Sequence, residues 1–285
     1  MRRQRVDFEG AVHHVMNRGV NRQQIYFGDA DRVEFGDRLA EINELFGVRT
    51  LAYCLMGTHF HLILRTPRAG LSDAMQHLGS VYTRRTNRRI GRDGPLFRGR
   101  FHSILVTTDA YLIAAARYVH RNPLELSGVA DAASYRWSSY RTYLGLRPEP
   151  AFLDTDLLLG LHGHDRLALA DHTDGHSELP TGMTWTLDDL EQLIAFEIAR
   201  FDMLHGNDHE PHTPRVLGRT LLVLLGAADI DPHLARAIDA RLAFPSGTAR
   251  RMAISRARRR AADDAPLRHI LDRLRHHLAE HRRAA

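Results

Sequence analysis

The feature that most constrains this fold is an apolar stretch at residues 51–64 that is interrupted by Gly57 and Thr58. Two short apolar runs joined by such a turn predict a β-hairpin with buried strands. Because alternate side chains of a strand share a face, His59 and His61 are expected to point the same way. Two imidazoles on one rigid face can hold a divalent metal ion. Taken alone, the pair is also compatible with two structural histidines, one packed and one solvated.

A second stretch predicts a helix that Thr108 or Asp109 would cap and Pro123 would end. Tyr118 and Asn122 are four residues apart and therefore lie on one face of that helix. A tyrosine beside an amide, facing a two-histidine metal site, is suited to cutting a phosphodiester. The phenolate would attack the phosphate, and Asn122 would supply an oxygen as the third metal ligand. Taken alone, Tyr118 is also compatible with a core aromatic and Asn122 with a C-terminal cap.

Together these stretches resemble the single-tyrosine HUH transposases, especially the REP-associated tyrosine transposases. The resemblance rests on His59-Phe60-His61 as the histidine-hydrophobic-histidine motif, and on residues 117–123 as the tyrosine helix with its Asn-Pro ending. Three further motifs occur in the family's order, at residues 14–19, 96–103 and 137–140. The match extends over residues 1–147. It departs from many relatives at Gly57-Thr58, where they have Pro-Asn or Pro-Glu.

The resemblance implies an enzyme that cleaves and rejoins single-stranded DNA at hairpin-forming repeats. It implies Tyr118 as the nucleophile, which leaves a 5′-phosphotyrosine link and a free 3′-hydroxyl. It also implies His59, His61 and Asn122 as ligands for Mg²⁺ or Mn²⁺, and a monomer or a homodimer as the acting form. The competing hypothesis is a catalytically silent, domesticated regulator or architectural protein that binds repeat DNA.

The predicted order of elements is strand, helix, strand, strand, helix, strand, helix. The corresponding residues are 11–17, 29–46, the hairpin at 49–66, 71–89, 94–106 and 108–122. This order predicts an α+β fold in which an antiparallel sheet carries helices on one side, like the ferredoxin- or RRM-like HUH nucleases. An acidic linker and a small all-α domain are expected to follow.

Charge is segregated along the chain. Residues 1–150 carry 22 Arg against 14 Asp and Glu, residues 151–214 carry 2 against 13, and residues 215–285 carry 15 against 7. We therefore predict a nuclease domain at 1–147, an acidic spacer at 148–214 that is irregular over 151–185 and has one helix, and a basic helical domain at 215–285. All basic residues apart from histidine are Arg, which suits phosphate and base binding, although GC-rich codon usage would produce the same bias.

Arginine clusters mark the expected DNA-binding surfaces. They lie at the end of the second helix, on the strand at 94–106, and in a basic helix at 248–260 that follows a helix and a short turn, as in a helix-turn-helix. The candidate DNA-binding residues are Arg84, Arg85, Arg88, Arg89, Arg98, Arg100, Arg250, Arg251, Arg256 and Arg258.

Two further features bear on the cellular setting. The one cysteine, Cys54, excludes an internal disulfide and fits a reducing compartment. The sequence contains no apolar run long enough to span a membrane. We therefore expect a cytoplasmic, nucleoid-associated protein without a membrane partner.

Overall fold

A computed structural model describes residues 6–175, 180, 183–205, 214–228 and 230–280, without the side chains of 214, 215 and 280. The chain divides into two compact units, Met1–Pro180 and Thr181–Ala285. The division falls within the predicted acidic spacer. Parts of that spacer, including residues 206–213, lie outside the described residues. In the part of the chain that is described, no helix is both long and apolar enough to cross a bilayer.

The first unit is built on a four-stranded antiparallel sheet with strand order β2-β3-β1-β4. The strands are β1 (Ala11–Arg18), β2 (Arg49–Leu55), β3 (His59–Thr66) and β4 (His102–Val106). The helices are α1 (Asp29–Phe46), α2 (Leu71–Ile90), α3 (Asp109–Arg121), α4 (Tyr140–Tyr143), α5 (Asp156–Leu161) and α6 (Arg166–Asp174). The predicted α+β class and the order of its first seven elements are therefore confirmed.

The two faces of the sheet have different neighbours. Phe60, Leu62 and Leu64 of β3 enter the hydrophobic core, together with residues of α1 such as Phe35 and Leu39. The alternate residues of β3 face the other way, towards α3, which contacts β2, β3 and β4. The expectation of helices on one side thus holds for α1 and α2, whereas α3 covers the opposite face.

The prediction of a strand at residues 94–106 is wrong for residues 94–101, because β4 begins at His102. Pro95 has no N–H to donate to a strand ladder, and Gly94 adopts a left-handed φ of 88°. The segment is instead held by single contacts, such as Arg98 N–H to the Arg18 carbonyl at 3.0 Å. Arg98 and Arg100 are exposed but do not share a strand face.

The prediction that residues 151–185 are irregular is also wrong, because this segment contains α5 and α6. The Asp165 side chain caps α6 by accepting hydrogen bonds from two backbone N–H groups, and Gly175 ends the helix with a φ of 87°. Leu158 and Leu169 are buried. Both helices contact α3 and belong to the same compact unit as the sheet.

The second unit is all-helical in its described residues. Its helices are α7 (Leu187–His205), α8 (Pro214–Gly226), α9 (Pro232–Leu242), α10 (Gly247–Asp263) and α11 (Ala265–Glu280). Asp231 caps α9, since its carboxylate accepts hydrogen bonds from His233 N and Leu234 N. Its neighbour Pro232 opens α9 without an N–H to satisfy.

A buried carboxylate ties α7 to α11. Glu197 is 1% exposed and accepts hydrogen bonds from Arg273 and His277, each at 3.0 Å. Burial alone would raise the pKa of the Glu197 carboxyl, but His277 and Arg273 hold it below its usual value. A buried, charge-assisted contact therefore joins these two helices of the second unit.

Candidate active site

The metal-site candidates lie on β3, between β2 and β1 in the sheet. The rings of His59 and His61 project from the same face, with centroids 5.3 Å apart and planes at 89°. They are 8% and 0% exposed, respectively. The two-residue period of the strand alone produces this pairing, and the flanking strands make its position rigid.

The turn before the histidines is well anchored despite its departure from the family pattern. Gly19 N donates to the Thr58 carbonyl at 2.8 Å, and Ile25 N donates to the Gly57 carbonyl at 3.0 Å. Thr58 Oγ1 lies 3.1 Å from His59 Nδ1. With Nδ1 as the donor in that hydrogen bond, Nε2 keeps its lone pair for a metal ion. The Gly-Thr sequence therefore both closes the turn and orients the first ligand candidate.

The nucleophile candidate comes from α3. Thr108 caps this helix by accepting a hydrogen bond from Tyr111 N, as predicted. Tyr118 lies further along the helix, with its ring 5.2 Å from the ring of His61 at 80°. It is 8% exposed. The structure thus brings Tyr118 together with the histidine pair, across the contact between α3 and the sheet.

The structure adds one residue that sequence reasoning missed. His14 of β1 is fully buried, and its ring lies 5.6 Å from that of His61 and 6.0 Å from that of Tyr118. β1 pairs with β3 so that His14 lies opposite Ile63 and Met16 lies opposite His61. His14 therefore shares the face of the metal-ligand candidates. The motif at residues 14–19 marked His14 in the sequence, but the position of His14 beside His61 depends on how β1 pairs with β3.

The adjacent His13 has a different task because it faces the other side of the sheet. Its Nε2 lies 3.1 Å from Asp7 Oδ1. The other oxygen of Asp7 accepts hydrogen bonds from Gly70 N and Leu71 N at the start of α2. Burial opposes ionisation of Asp7, but these hydrogen bonds, with those from Thr66 and His13, lower its pKa. His13 is therefore part of a structural clasp rather than of the site.

Asn122 follows Tyr118 by one helical turn and begins a short 3₁₀ helix, Asn122–Glu125. Its side chain is 1% exposed, and neither amide atom has a hydrogen-bond partner among the described residues. Leaving a buried amide unsatisfied costs about 1–3 kcal/mol, which a metal ion or DNA would offset. The role of Asn122 as third ligand stays a prediction.

Two imidazoles and an amide oxygen are a chemically suitable donor set for Mn²⁺ or Mg²⁺. Among the described residues, no group of three His, Cys, Asp or Glu side chains is placed to hold a metal. A metal site at His59 and His61 therefore needs the amide, or oxygen atoms of the substrate, to complete it.

His120, two residues after Tyr118 on α3, is packed and uncharged. His120 stacks on Tyr140 with centroids 5.1 Å apart, and its Nε2 lies 3.0 Å from Ser139 Oγ. Burial lowers the pKa of His120 to about 3. Ser139 also accepts a hydrogen bond from Tyr53 N of β2. The sequence motif at residues 137–140 thus fixes α3 against the sheet.

α6 holds α3 from a further direction. Arg117 Nε donates to the His172 carbonyl at 2.9 Å, and Arg121 donates to the Thr173 carbonyl at 3.1 Å. Both acceptors lie in the last turn of α6, where the helix dipole favours cations. Arg117 is 7% exposed. The residues on either side of the nucleophile candidate are therefore positioned by a segment beyond residue 147.

We expect a chain that ends at residue 180 to keep the stability of the first unit, and a chain that ends at residue 147 to lose a large part of it. The shorter chain removes α5 and α6 and leaves Arg117 and Arg121 without their acceptors. Urea unfolding followed by circular dichroism measures the difference. Equal unfolding midpoints for the two chains would show that residues 148–180 do not support α3.

The predicted DNA-binding arginines are divided between the two units, and several are already paired. Arg85 lies 3.1 Å from Glu34, and Arg89 is paired with Asp31 of α1. Arg84 and Arg88 are exposed at the same helix end. Exposed ion pairs contribute about 0–1 kcal/mol, so phosphate can replace Glu34 beside Arg85 at little cost. Asp31 is only 3% exposed, so drawing Arg89 away would leave a buried carboxylate without its partner. Contact of any of these arginines with DNA remains a prediction.

Comparison with known proteins gives one family. Residues 8–122 match the family model described as "Transposase IS200 like". This range contains β1, the histidine hairpin, Tyr118 and Asn122. No curated protein shows a significant match to the chain.

One similar solved structure is described as "Structure of the REP associates tyrosine transposase bound to a REP hairpin". It is 13% identical, and the alignment covers 54% of this chain and 93% of that chain with a TM-score of 0.44.

Proposed function

We propose that this chain cleaves and rejoins single-stranded DNA at hairpin-forming repeats, because its residues 8–122 match the IS200-like transposase family model. The observation that carries the proposal is the convergence of three side chains. The ring of His61 lies 5.3 Å from that of His59 and 5.2 Å from that of Tyr118. A hydroxyl nucleophile beside two potential metal ligands is the arrangement that phosphodiester cleavage needs.

In the proposed reaction, the Tyr118 oxygen attacks the scissile phosphorus and the bond from phosphorus to the 3′-oxygen breaks. The phenol loses its proton and the departing 3′-oxygen gains one, so the step is balanced. The downstream strand is left attached to Tyr118 through its 5′-phosphate, and the upstream strand ends in a 3′-hydroxyl. Since the ester energy is kept in the tyrosine link, rejoining needs no ATP.

The residues that would hold Mg²⁺ or Mn²⁺ are His59, His61 and Asn122. The ion would polarise the scissile phosphate and favour the developing negative charge. Nitrogen ligands favour Mn²⁺ over Mg²⁺. Thr58 would keep the His59 ring in the ligating orientation through its hydrogen bond to Nδ1.

One candidate tyrosine at the site has a consequence for strand transfer. Excising a segment from a single strand takes two cleavages, one at each end, and one phenol can hold one strand end at a time. The chain would therefore make the two cleavages in succession as a monomer, or use one Tyr118 from each subunit of a homodimer.

The experiment uses the full chain with single strands that carry repeat hairpins, labelled at either the 5′ or the 3′ end, in the presence of Mn²⁺ or Mg²⁺. Denaturing gels separate covalent adducts from free DNA. We expect the 3′-labelled fragment to migrate with the protein and the 5′-labelled fragment to be released. Tight binding without any adduct, across a panel of hairpins and both ions, would favour the silent DNA-binding protein instead.

We expect His14→Phe to slow adduct formation by roughly 10–100-fold, as is typical for residues that orient a metal ligand. Phenylalanine keeps a ring beside both Tyr118 and His61 but removes the imidazole nitrogens. Single-turnover rates at saturating DNA measure the effect. His13→Phe, on the same strand but the opposite face, is the matched control and should change stability more than rate. An unchanged rate in His14→Phe would exclude a positioning role.

A further inference from the structure

A groove in the second unit lies between α10 and the end of α8. Its volume is ≈ 560 Å³, within the range of about 300–1,000 Å³ found for ligand sites. It is lined by Gly226, Ala228, Arg251, Ile254, Ser255 and Arg258, among others. These residues belong to the second compact unit, whereas the candidate active-site residues belong to the first.

The period of α10 builds one wall of this groove. Arg251, Ile254, Ser255 and Arg258 are spaced at i, i+3, i+4 and i+7, so they form one stripe along the helix. Ala257 and Ala261 are buried on another side of the helix. With a rise of about 1.5 Å per residue, the two arginines of the stripe lie roughly 10 Å apart along the axis. An apolar and a hydroxyl side chain separate them.

The charges around the groove are not all available to a ligand. Arg250 donates to Asp239 at 2.8 Å and to the Gly226 carbonyl at 3.3 Å, so it holds helices together. Arg251 is exposed and bonds to the neutral Thr248 hydroxyl at 3.0 Å. Arg258 is exposed and has no hydrogen-bond or ion-pair partner among the described residues. Two cations with no neutralising carboxylate therefore face the groove.

This combination fits a phosphate ester that carries a flat group. Guanidinium forks bind phosphate oxygens in pairs, and the Ser255 hydroxyl can donate a further hydrogen bond. Ile254 offers an apolar surface to a base or sugar. The small side chains at residues 226–228 let such a group approach the backbone closely.

We propose that this groove binds a nucleotide unit of single-stranded DNA, with Arg251 and Arg258 on successive phosphates and the nucleoside over Ile254. The choice of a DNA strand over a free nucleotide rests on the proposed function. Of the four arginines of α10 that were predicted to bind DNA, this proposal keeps Arg251 and Arg258. Arg250 has a structural role, and Arg256 lies outside the groove.

The test measures binding of a fluorescent hairpin-bearing single strand by anisotropy over a series of salt concentrations. It uses the full chain with Tyr118→Phe, so that covalent capture does not contribute. Arg251→Gln with Arg258→Gln is compared with Arg256→Gln with Arg259→Gln, which makes the same charge change on the same helix outside the groove. Circular dichroism confirms that both variants fold.

We expect the double variant Arg251→Gln with Arg258→Gln, the groove pair, to raise Kd for the strand at least about 10-fold. It should also reduce the slope of log Kd against log salt concentration by about 1.4, because each single-strand phosphate contact contributes about 0.7. The control pair should raise Kd less than about 3-fold. Ser255→Phe, which fills the groove without changing charge, should weaken binding as much as the groove pair. Equal losses in the two arginine pairs would overturn the proposal in favour of a diffuse basic surface.

Competition with deoxythymidine monophosphate distinguishes a groove that binds a DNA strand from one that binds a free nucleotide. Displacement of the strand by the mononucleotide at equal concentration would overturn the assignment to DNA. The proposed function fails separately, if the chain with Tyr118 intact forms no adduct at saturating DNA.

Discussion

Tyr118→Phe is expected to lower covalent adduct formation by at least about 10³-fold, because removal of a nucleophile abolishes the chemistry it performs. The ring contacts with His61 and His14 would remain, so folding and DNA affinity should change little. Denaturing gels with 3′-labelled DNA measure the adduct, and anisotropy measures the affinity.

Tyr111→Phe is the matched control for this substitution. Tyr111 lies on the same helix, is buried, and loses the same hydroxyl. It should leave adduct formation within about 3-fold of the natural chain. An adduct that persists in Tyr118→Phe and disappears in Tyr111→Phe would move the nucleophile to another turn of α3.

The second large effect is expected at the metal-ligand candidates. His59→Ala or His61→Ala should reduce adduct formation by more than the roughly 10–100-fold that is typical of residues behind a ligand. Asn122→Ala should act in the same direction. Excess chelator should abolish the adduct, and added Mn²⁺ should restore it in the natural chain. His77→Ala, on α2 and paired with Glu41, serves as the control for loss of a histidine.

Full activity in excess chelator would contradict a metal-dependent reaction. A loss in His59→Ala that persists at any Mn²⁺ concentration, together with unchanged manganese binding by calorimetry, would give that histidine a role other than ligation. The metal and nucleophile predictions are thus tested by different readouts.

The local parts of this site follow from the sequence. A strand places alternate side chains on one face, so His59 and His61 are paired by their spacing alone. The capped start of α3 at Thr108 and its end near Pro123 were equally local. Residues four apart on a helix share a face, which aligns Tyr118 with Asn122. These expectations depend on a few neighbouring residues and on no knowledge of the tertiary fold.

The contribution of His14 could not be predicted in this way. It reaches Tyr118 because β1 pairs with β3 in a specific register, and that pairing joins segments that are far apart in the chain. The support of α3 by α6 has the same character, since the contact between Arg117 and the His172 carbonyl spans 55 residues. Composition had marked residues 151–185 as irregular, whereas their buried leucines and the Asp165 cap form helices.

Charge counting also has a physical limit. The sequence shows how many arginines a segment has, but not which of them a carboxylate has already engaged. Arg89 is paired with Asp31, and Arg250 with Asp239. Arg258, by contrast, has no such partner among the described residues. An arginine without a carboxylate partner is the better candidate for binding a DNA phosphate, and the structure is needed to distinguish it from a paired arginine.

The most direct test of the proposed chemistry is to identify the atom that carries the DNA. The adduct is isolated, the DNA is digested with nuclease, and the protein is cut and analysed by tandem mass spectrometry. We predict a nucleotide joined through its 5′-phosphate to the Tyr118 oxygen, with a 3′-hydroxyl on the released strand. A nucleotide on another residue, or one joined through a 3′-phosphate, would contradict Tyr118 as the nucleophile.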